Sequence, residues 1–246
     1  MNAAPDRTEA AGQPPPAAGP AWLFHGVTAV AVGTIVLAVA LLWLLPPFPG
    51  RLAGAAIFGA AWVERMAAMY GRPGPHRSRA VCRDWTAVAV GYAYAITMGV
   101  AVTEFLLRRR GFPFPALAFG GGALYTVGVA LRYWAFAVLR RQWRVDVTDV
   151  GGERRLVREG PYRLIRHPLY LGACLEAAGM PLLLGAPAAA VLGLAGFVPF
   201  EVARAFYEER FLREIFGDDY RRYSSEVPAF LPFRRRPSRR GRTPGA

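Results

Sequence analysis

Six long apolar runs dominate the hydropathy pattern of the chain. Each spans about 18 to 24 residues, and they lie at 22–45, 51–70, 85–107, 116–139, 168–185 and 188–206. A helix needs about 20 apolar residues to cross the hydrocarbon layer of a membrane. Runs of this length, without alternation of polar and apolar positions, exclude a barrel. The pattern therefore predicts an all-α integral membrane protein with about six transmembrane helices.

Glycine, proline and other small residues indicate how these helices turn, bend and pack. Gly185-Ala186-Pro187 separates the last two runs and predicts a tight turn, so that they form a helical hairpin. Pro199 predicts a kink in the second arm of this hairpin. In the fourth run, small residues at every fourth position predict a stripe for close helix packing: Ala118, Gly122, Thr126 and Ala130.

The composition of the remaining segments divides the chain further. Residues 1–20 are rich in Ala, Pro and Gly and are expected to form a disordered leader, not a signal peptide. N-terminal transmembrane helices are expected over 21–115. Residues 116–233 carry the motifs described below and are expected to end in a C-terminal cytoplasmic helical segment. The basic tail, 234–246, is predicted to be disordered.

The net charge is +13, and each of the 30 Lys or Arg residues is an arginine. Six crossings place both termini on one side, together with the arginine-rich segments 71–84 and 140–167. The positive-inside bias predicts that this side is cytoplasmic, although the run Arg108-Arg109-Arg110 then falls on the other side. The same bias explains the arginines without a nucleic-acid partner. The arginine-only composition looks bacterial, which predicts a location in the inner (plasma) membrane.

The cysteines and histidines exclude two kinds of site. Cys82 and Cys174 lie in a loop and in an apolar run, so they provide no disulfide framework. The three histidines are scattered and lack the spacing of zinc ligands. A metal site is therefore not expected.

A first chemical motif lies where the polar stretch after Arg140 gives way to the fifth apolar run. It ends in Arg166-His167-Pro168-Leu169-Tyr170-Leu171-Gly172. Pro168 suits the first position of a helix, because its φ is already helical and its missing N–H would have no helical partner there. Arg166 and His167 are therefore expected at a helix N-terminus, where free amides and the helix dipole favour an anion.

Two residues within this motif add to its chemistry. The aromatic face of Tyr170 is available to a cation. Gly172 lies further along the predicted helix, where the absence of a Cβ atom allows a ligand or another backbone to approach. Each residue alone is also compatible with an ordinary membrane interface.

A second motif, Arg204-Ala205-Phe206-Tyr207-Glu208-Glu209, follows the last apolar run. Arg204 and Glu208 are four positions apart, so they share one helix face. An ordinary ion pair at a helix end is the alternative. Because the pair lies at a membrane boundary on the same predicted side as His167, we favour a ligand-facing role.

These motifs together resemble the isoprenylcysteine carboxyl methyltransferase family, and the phospholipid N-methyltransferases look similar. The resemblance covers about residues 116 to 233. It is carried by Gly160-Pro161-Tyr162, Arg166-His167-Pro168-x-Tyr170-x-Gly172, Arg204-x-x-x-Glu208-Glu209, Phe216-Gly217-x-x-Tyr220 and Val227-Pro228.

The resemblance implies an integral-membrane enzyme that binds S-adenosylmethionine between the last membrane helices and the C-terminal segment. It implies a catalytic role for Arg204 and Glu208, whereas Glu209 matches a doubled acid that serves structure. The implied cofactor-binding residues are Arg166, His167, Tyr170 and Gly172, with Tyr162 and Gln142 as weaker additions.

The residue types agree with this implied cofactor. A ligand with a carboxylate, an ammonium, a sulfonium and an adenine needs a cationic or amide-rich anchor, an acid, an aromatic face and an apolar slot, and the two motifs contain all four. Methyl transfer in a water-poor pocket needs no metal. The expected substrate is a lipophilic small molecule or a lipidated one, delivered through the membrane lipids.

Two alternatives remain open on the sequence. The first is an NADPH-dependent membrane reductase of the sterol-reductase type, in which Arg154 and Arg155 hold the 2′-phosphate. The second is a non-enzymatic membrane protein, a transporter or scaffold, whose polar residues only anchor helix ends.

Ionisable residues also occur inside the apolar runs: Glu64, Arg65, Glu104, Arg132, Glu176 and Glu201. Such residues usually face a partner or a cavity, because contact with lipid is costly. Arg132 fits equally a snorkelling residue and a residue that lines a pocket. Glu176, one turn beyond Gly172, is a hypothetical contributor to the substrate site.

Overall fold

Seven helices make up the structure, a computed structural model that describes residues 22–70, 85–108, 115–139 and 155–232. The predicted leader (1–20), the predicted basic tail (234–246), Gln142 and Arg154 lie outside these ranges. A short 3₁₀ turn, Gly160–Arg163, precedes α5. The helices are α1 (Trp22–Leu44), α2 (Arg51–Tyr70), α3 (Trp85–Arg108), α4 (Pro115–Leu139), α5 (Pro168–Leu184), α6 (Pro187–Leu192) and α7 (Val198–Glu226).

Four of the described helical stretches are long and apolar enough to cross a membrane. They are Gly26–Leu44, Trp85–Arg108, Pro115–Leu139 and the continuous stretch Pro187–Glu226. The 17-residue α5 is apolar but shorter. Helix α2 spans 20 residues and contains Arg51, Glu64 and Arg65. The prediction of an all-α membrane protein is confirmed.

The predicted hairpin forms between α5 and α6. Gly185 adopts φ 64° and ψ 39°, a left-handed conformation that ends α5 without a Cβ penalty. Glu104 of α3 lies at the start of the second arm, where its carboxylate accepts the backbone N–H of Ala189 at 3.1 Å. A negative group at this position satisfies helix amides that have no partner within the helix.

The second arm of the hairpin departs from α-helical geometry next to Pro199. Residues Gly193–Phe197 form a π-helical segment between α6 and α7. Proline donates no hydrogen bond and clashes with the carbonyl four residues earlier, which here belongs to Ala195. The prediction from Pro199 was a kink; the structure has a π-helical segment in the turn that precedes it.

A second break lies inside α7. Gly217 has φ 50° and ψ −123°, which is not helical. Beyond it, the Tyr223 hydroxyl donates to the carbonyl oxygen of Tyr162 at 2.7 Å. The break therefore allows the end of α7 to pack against the 3₁₀ turn that precedes α5.

Close packing of α4 and α5 depends on glycines. A Cβ atom on Gly121 would lie 2.3 Å from the backbone nitrogen of Leu183, and one on Gly128 would lie 2.6 Å from the carbonyl oxygen of Gly172. The predicted stripe of small residues, which begins at Ala118, was assigned to the wrong face of α4, because Thr126 and Ala130 are exposed. Small residues alone do not reveal which face of a helix meets its neighbour.

The buried core centres on α3. Met98, Phe105 and Leu106 are almost fully buried. Tyr94, also on α3, lies between Trp62 of α2 and Phe197, with ring centroids 6.2 and 5.5 Å away. Helix α3 therefore connects the N-terminal helices with the hairpin.

We predict that Gly121→Ala destabilises the protein, because the new methyl group meets the α5 backbone, which cannot move independently. Overpacking of this kind costs about 1–3 kcal/mol. The midpoint of thermal unfolding in detergent should fall by about 2–12 °C. The matched control is Gly120→Ala, where a Cβ atom has no neighbour within 4 Å. Equal midpoints for the two variants would contradict this account of the α4–α5 contact.

Candidate active site

The N-terminal end of α5 is joined to the C-terminal segment through the backbone. The N–H of Arg166 donates to the carbonyl oxygen of Pro228 at 2.9 Å, and that of His167 donates to Ala229 at 3.0 Å. Pro168 occupies the first turn of the helix, as predicted. The C-terminal segment therefore occupies the backbone amides of these two residues, which precede the helix.

The Arg166 side chain makes a clamp between the two motifs. Its Nε donates to Glu209 Oε1 at 2.9 Å. Its Nη1 donates to the carbonyl oxygens of Ser224 and Val227, at 2.8 and 2.6 Å. These bonds occupy much of the guanidinium group, so Arg166 holds α7 and the segment after it against the start of α5.

His167 lies between two adjacent carboxylates and is only 3% exposed. Its Nε2 is 3.0 Å from Glu209 Oε1, and its Nδ1 is 3.8 Å from Glu208 Oε2. An ionised carboxylate only accepts hydrogen bonds, so we assign the hydrogen to Nε2. The rings of Tyr170 and Phe230 flank the imidazole at 5.6 Å. The imidazole is thereby fixed in position and orientation.

The two adjacent acids of the second motif differ in their surroundings. The Glu209 side chain is 1% exposed and also accepts from Arg213 at 2.8 Å. The Glu208 side chain is 30% exposed and lines the cavity described below. Glu209 therefore holds the fold together, and Glu208 remains accessible from the cavity.

Arg204 is positioned by a residue from the N-terminal half of the chain. Its Nη1 donates to Thr86 Oγ1 at 2.8 Å, and its guanidinium carbon is 6.0 Å from the centroid of the Tyr170 ring. Arg204 is buried and, like Glu208, lines the cavity. Thr86 carried no signal in the sequence, since a threonine at the start of an apolar run is unremarkable.

Tyr162 forms part of the wall formed by the 3₁₀ turn. Its side chain is buried and lines the cavity. Burial raises the pKa of the Tyr162 phenol well above its ordinary value, and the nearby Glu208 carboxylate acts in the same direction. The phenol therefore stays protonated and can donate a hydrogen bond to a ligand.

One cavity of about 360 Å³ lies between the two motifs. Five of the residues predicted for the cofactor or the chemistry line it together with Tyr162: Arg166, His167, Tyr170, Arg204 and Glu208. Gly172 is not in the lining; a Cβ atom there would lie 2.8 Å from the carbonyl oxygen of Gly128. The sequence left two roles open for Gly172, contact with a ligand or close approach to another backbone. The structure shows the second.

The cavity continues away from the motifs between α1, α2 and α3. Its lining there is mostly apolar and reaches Val32 and Ile35, which are exposed on α1. The motif analysis did not include this part of the site, although Arg65 was flagged there as an intramembrane charge. Such a lining fits a lipophilic molecule that enters from the side.

A network of four charged side chains, three of them buried, supports the cavity wall. Glu176 accepts from Arg65 Nη1 at 3.1 Å and from Arg132 Nε at 2.6 Å. Arg132 Nη2 also donates to both oxygens of Glu64, at 2.8 Å each. Arg132 is 3% exposed and lines the cavity, so it does not snorkel to the interface. Within the described ranges, no three His, Cys, Asp or Glu side chains group as metal ligands.

Comparison with known proteins gives consistent matches. The family model described as Phospholipid methyltransferase matches residues 117–219. A rice (Oryza sativa subsp. indica) protein named probable protein-S-isoprenylcysteine O-methyltransferase is 30% identical over 156 residues, which is 60% of this chain and 80% of the rice protein. Protein-S-isoprenylcysteine O-methyltransferase A of Arabidopsis thaliana is 38% identical over 148 residues, 57% of this chain and 74% of the plant protein.

A shorter match has a different acceptor in its name. Methanethiol S-methyltransferase 1 of Bradyrhizobium diazoefficiens is 36% identical over 81 residues, 30% of this chain and 25% of that protein. The matches agree on the transferred group and differ in the acceptor atom. With its apolar helices, its two joined motifs and this extent of similarity, the chain belongs to the isoprenylcysteine carboxyl methyltransferase family and is an integral-membrane methyltransferase.

Proposed function

We propose that the protein transfers a methyl group from S-adenosylmethionine to a lipophilic acceptor that enters the cavity from the membrane. The observation that carries this proposal is one continuous cavity, which has the motif residues at one end and an apolar lining at the other. A polar, charged donor and a lipophilic acceptor need this combination of surroundings in one enclosed space.

The residues around the motif end fit the methyl donor. Glu208 supplies a carboxylate for its ammonium group, Tyr162 supplies a hydrogen-bond donor, and the ring of Tyr170 supplies a face for positive charge. The cavity volume lies at the lower end of the range for sites of drug-sized ligands. When bound, S-adenosylmethionine supplies a methyl group made electrophilic by its sulfonium.

In this proposal the protein positions the two reactants and excludes water from the cavity. We assign to Arg166 and Glu209 the task of holding the walls, and to His167, which is held by Glu209, that of forming the wall next to Glu208. Arg204, fixed by Thr86, presents positive charge to an acidic group of the acceptor. Alignment of two reactants can supply about 7–11 kcal/mol of the barrier reduction. In a water-poor cavity the charge interactions are stronger than in solution.

The arginines near the motif end of the cavity indicate which side of the membrane this end faces. Arg155, Arg158 and Arg163 lie in or next to the 3₁₀ turn, beside the start of α5. Because arginine-rich loops are typical of the cytoplasmic side, the motif end of the cavity faces the cytoplasm in our proposal. The acceptor then approaches laterally, next to α1.

The reductase alternative has less support. It depended on a phosphate site at Arg154 and Arg155, of which Arg154 lies outside the described residues. Arg155 is exposed and approaches Glu159 at 3.5 Å, which lowers its attraction for a phosphate. The relatives described above are named as methyltransferases.

We predict saturable binding of S-adenosylhomocysteine, the product form of the donor, to the detergent-purified protein. NADPH should give no saturable heat under the same conditions, because Arg155, the described arginine of the pair proposed for its 2′-phosphate, is exposed and approaches Glu159. Isothermal titration calorimetry measures both. Binding of NADPH alone would replace the proposed reaction with a reduction.

We predict opposite behaviour for two adjacent substitutions. Glu208→Ala should lower turnover by about 100-fold or more, because the ligand loses a positioning contact, while the thermal midpoint stays close to that of the unmodified protein. Glu209→Ala should lose about 3–5 kcal/mol of stability, because Arg166 and His167 lose the acceptor that joins them to α7. Methyl-transfer assays and thermal unfolding separate these effects.

Two further variants complete this test. Arg204→Ala should lose turnover like Glu208→Ala, and Glu214→Ala, at an exposed position of the same helix, should lose neither turnover nor stability. Full activity in Glu208→Ala and Arg204→Ala would remove both residues from the proposed mechanism.

A further inference from the structure

The end of α7 forms one wall of the cavity at its motif end. Tyr220 and Tyr223, both buried, line the cavity from this part of the helix. The helical stretch Pro187–Glu226 has 40 residues, about 60 Å at 1.5 Å per residue, whereas the hydrocarbon layer is about 30 Å thick. Most charged residues of this stretch lie in its second half. The end of α7 therefore lies outside the hydrocarbon layer, where water reaches its exposed face.

This wall begins at a break in the helix. Gly217 has φ 50° and ψ −123°, a backbone conformation that residues with a Cβ atom rarely adopt. A Cβ atom on Gly217 would meet nothing within 4 Å, so close packing does not require the glycine. The glycine serves a change of chain direction. We call the residues from this break to the last backbone bond with the start of α5, residues 218–229, the strap.

The strap is attached to the residues that precede α5. Its second half is held by the Arg166 side chain and by the backbone bonds described above. Its first half is held by Arg158, whose Nη2 donates to the carbonyl oxygen of Asp219 at 2.7 Å. The guanidinium carbon of Arg158 also lies 5.6 Å from the centroid of the Tyr223 ring. Arg158 is exposed, so these contacts can break without leaving a buried charge unpaired.

A charged ligand needs a path between this cavity and water. S-adenosylmethionine and its product carry charged groups, and such groups are costly to pass through the apolar end of the cavity, which faces the lipid. At the motif end, Tyr162 and His167 are only 8% and 3% exposed. Exchange of donor and product therefore requires that part of this wall move.

The described walls differ in their freedom to move. Helix α5 packs against α4 so closely that a Cβ atom on Gly172 would lie 2.8 Å from the carbonyl oxygen of Gly128. The strap instead has a glycine break at one end and an exposed arginine that holds it closed. Hinges are often a few positions of this kind, which absorb a change in backbone angles. The strap is thus the wall element best suited to open.

We propose that the strap is a lid, which opens about Gly217 to exchange S-adenosylhomocysteine for S-adenosylmethionine, and that Arg158 is the clasp that keeps it closed. This inference rests on the proposed function and adds the step that follows methyl transfer. Opening breaks the Arg158 contacts and moves Tyr220 and Tyr223 away from the cavity. Steps of this kind limit turnover in many enzymes.

The release of radiolabelled S-adenosylhomocysteine into an excess of unlabelled ligand measures this opening. Arg158→Ala should release the label about fivefold faster or more, because a charge-assisted hydrogen bond and a cation–π contact are lost. Gly217→Ala should also release it faster, because a Cβ atom strains the closed backbone. The matched control is Arg163→Ala, at an exposed arginine of the adjacent 3₁₀ turn, which should release the label at the wild-type rate.

A reversible cross-link tests the movement directly. Arg158→Cys and Asp219→Cys are combined in a protein that carries Cys82→Ala and Cys174→Ala, and the two new thiols are joined by a bismaleimide with a reducible disulfide in its linker. Before cross-linking, release should be faster than in the wild type, because the clasp is missing. With the label bound, cross-linking should slow its release by about 100-fold or more, since the lid cannot open. Reduction of the linker should restore the fast rate.

Each result decides between the lid and a static wall. Equal release rates before and after cross-linking would show that exchange does not need the strap to move. Wild-type release from Arg158→Ala would remove Arg158 as the clasp. Equal acceleration in Arg163→Ala would reduce the effect to lost surface charge and also reject the clasp. Failure of the wild-type protein to bind S-adenosylhomocysteine in calorimetry would instead contradict the proposed function.

Discussion

The Glu209 carboxylate is the interaction on which the rest of the site depends. It accepts hydrogen bonds from Arg166 and His167, which precede α5, and from Arg213, which follows it on α7. Two segments about forty residues apart in the chain are joined in this way. Inside a protein such charge-assisted bonds are strong when complete, and an unmatched charge is costly. The cavity exists because this junction fixes one end of the space between α5 and α7.

The second charged network extends this organisation to the N-terminal helices. Glu64 and Arg65 on α2 pair with Arg132 on α4 and Glu176 on α5. The family model covers α4 and α5 but not α2. The motif residues and the apolar part of the cavity are thus joined by four ions whose charges cancel.

Much of the architecture follows from hydropathy and helix signals. The six apolar runs, the break at Gly185 and the helix start at Pro168 were all predictable, because length and backbone chemistry determine them locally. The face with which each helix packs against its neighbours was not predictable. The small-residue stripe was assigned to the wrong face of α4, and Gly172 was a candidate for ligand contact although it packs against Gly128. Arg166 was predicted to bind the cofactor; it lines the cavity, and the sequence did not reveal that its donors also bind Glu209 and two carbonyl oxygens. Such choices depend on residues that are distant in sequence.

The pairing of α2 with later helices has a consequence for biosynthesis. Glu64 and Arg65 leave the ribosome before Arg132 and Glu176 have been synthesised. At that stage α2 carries two charges whose partners on α4 and α5 do not yet exist. Placing such a segment in the bilayer alone is costly. The nascent α2 is therefore expected to wait at the membrane surface or inside the translocation channel, and to integrate fully only after α4 and α5 have emerged. Full integration of α2 is then expected to depend on α4 and α5 and to come after the integration of helices that are synthesised later.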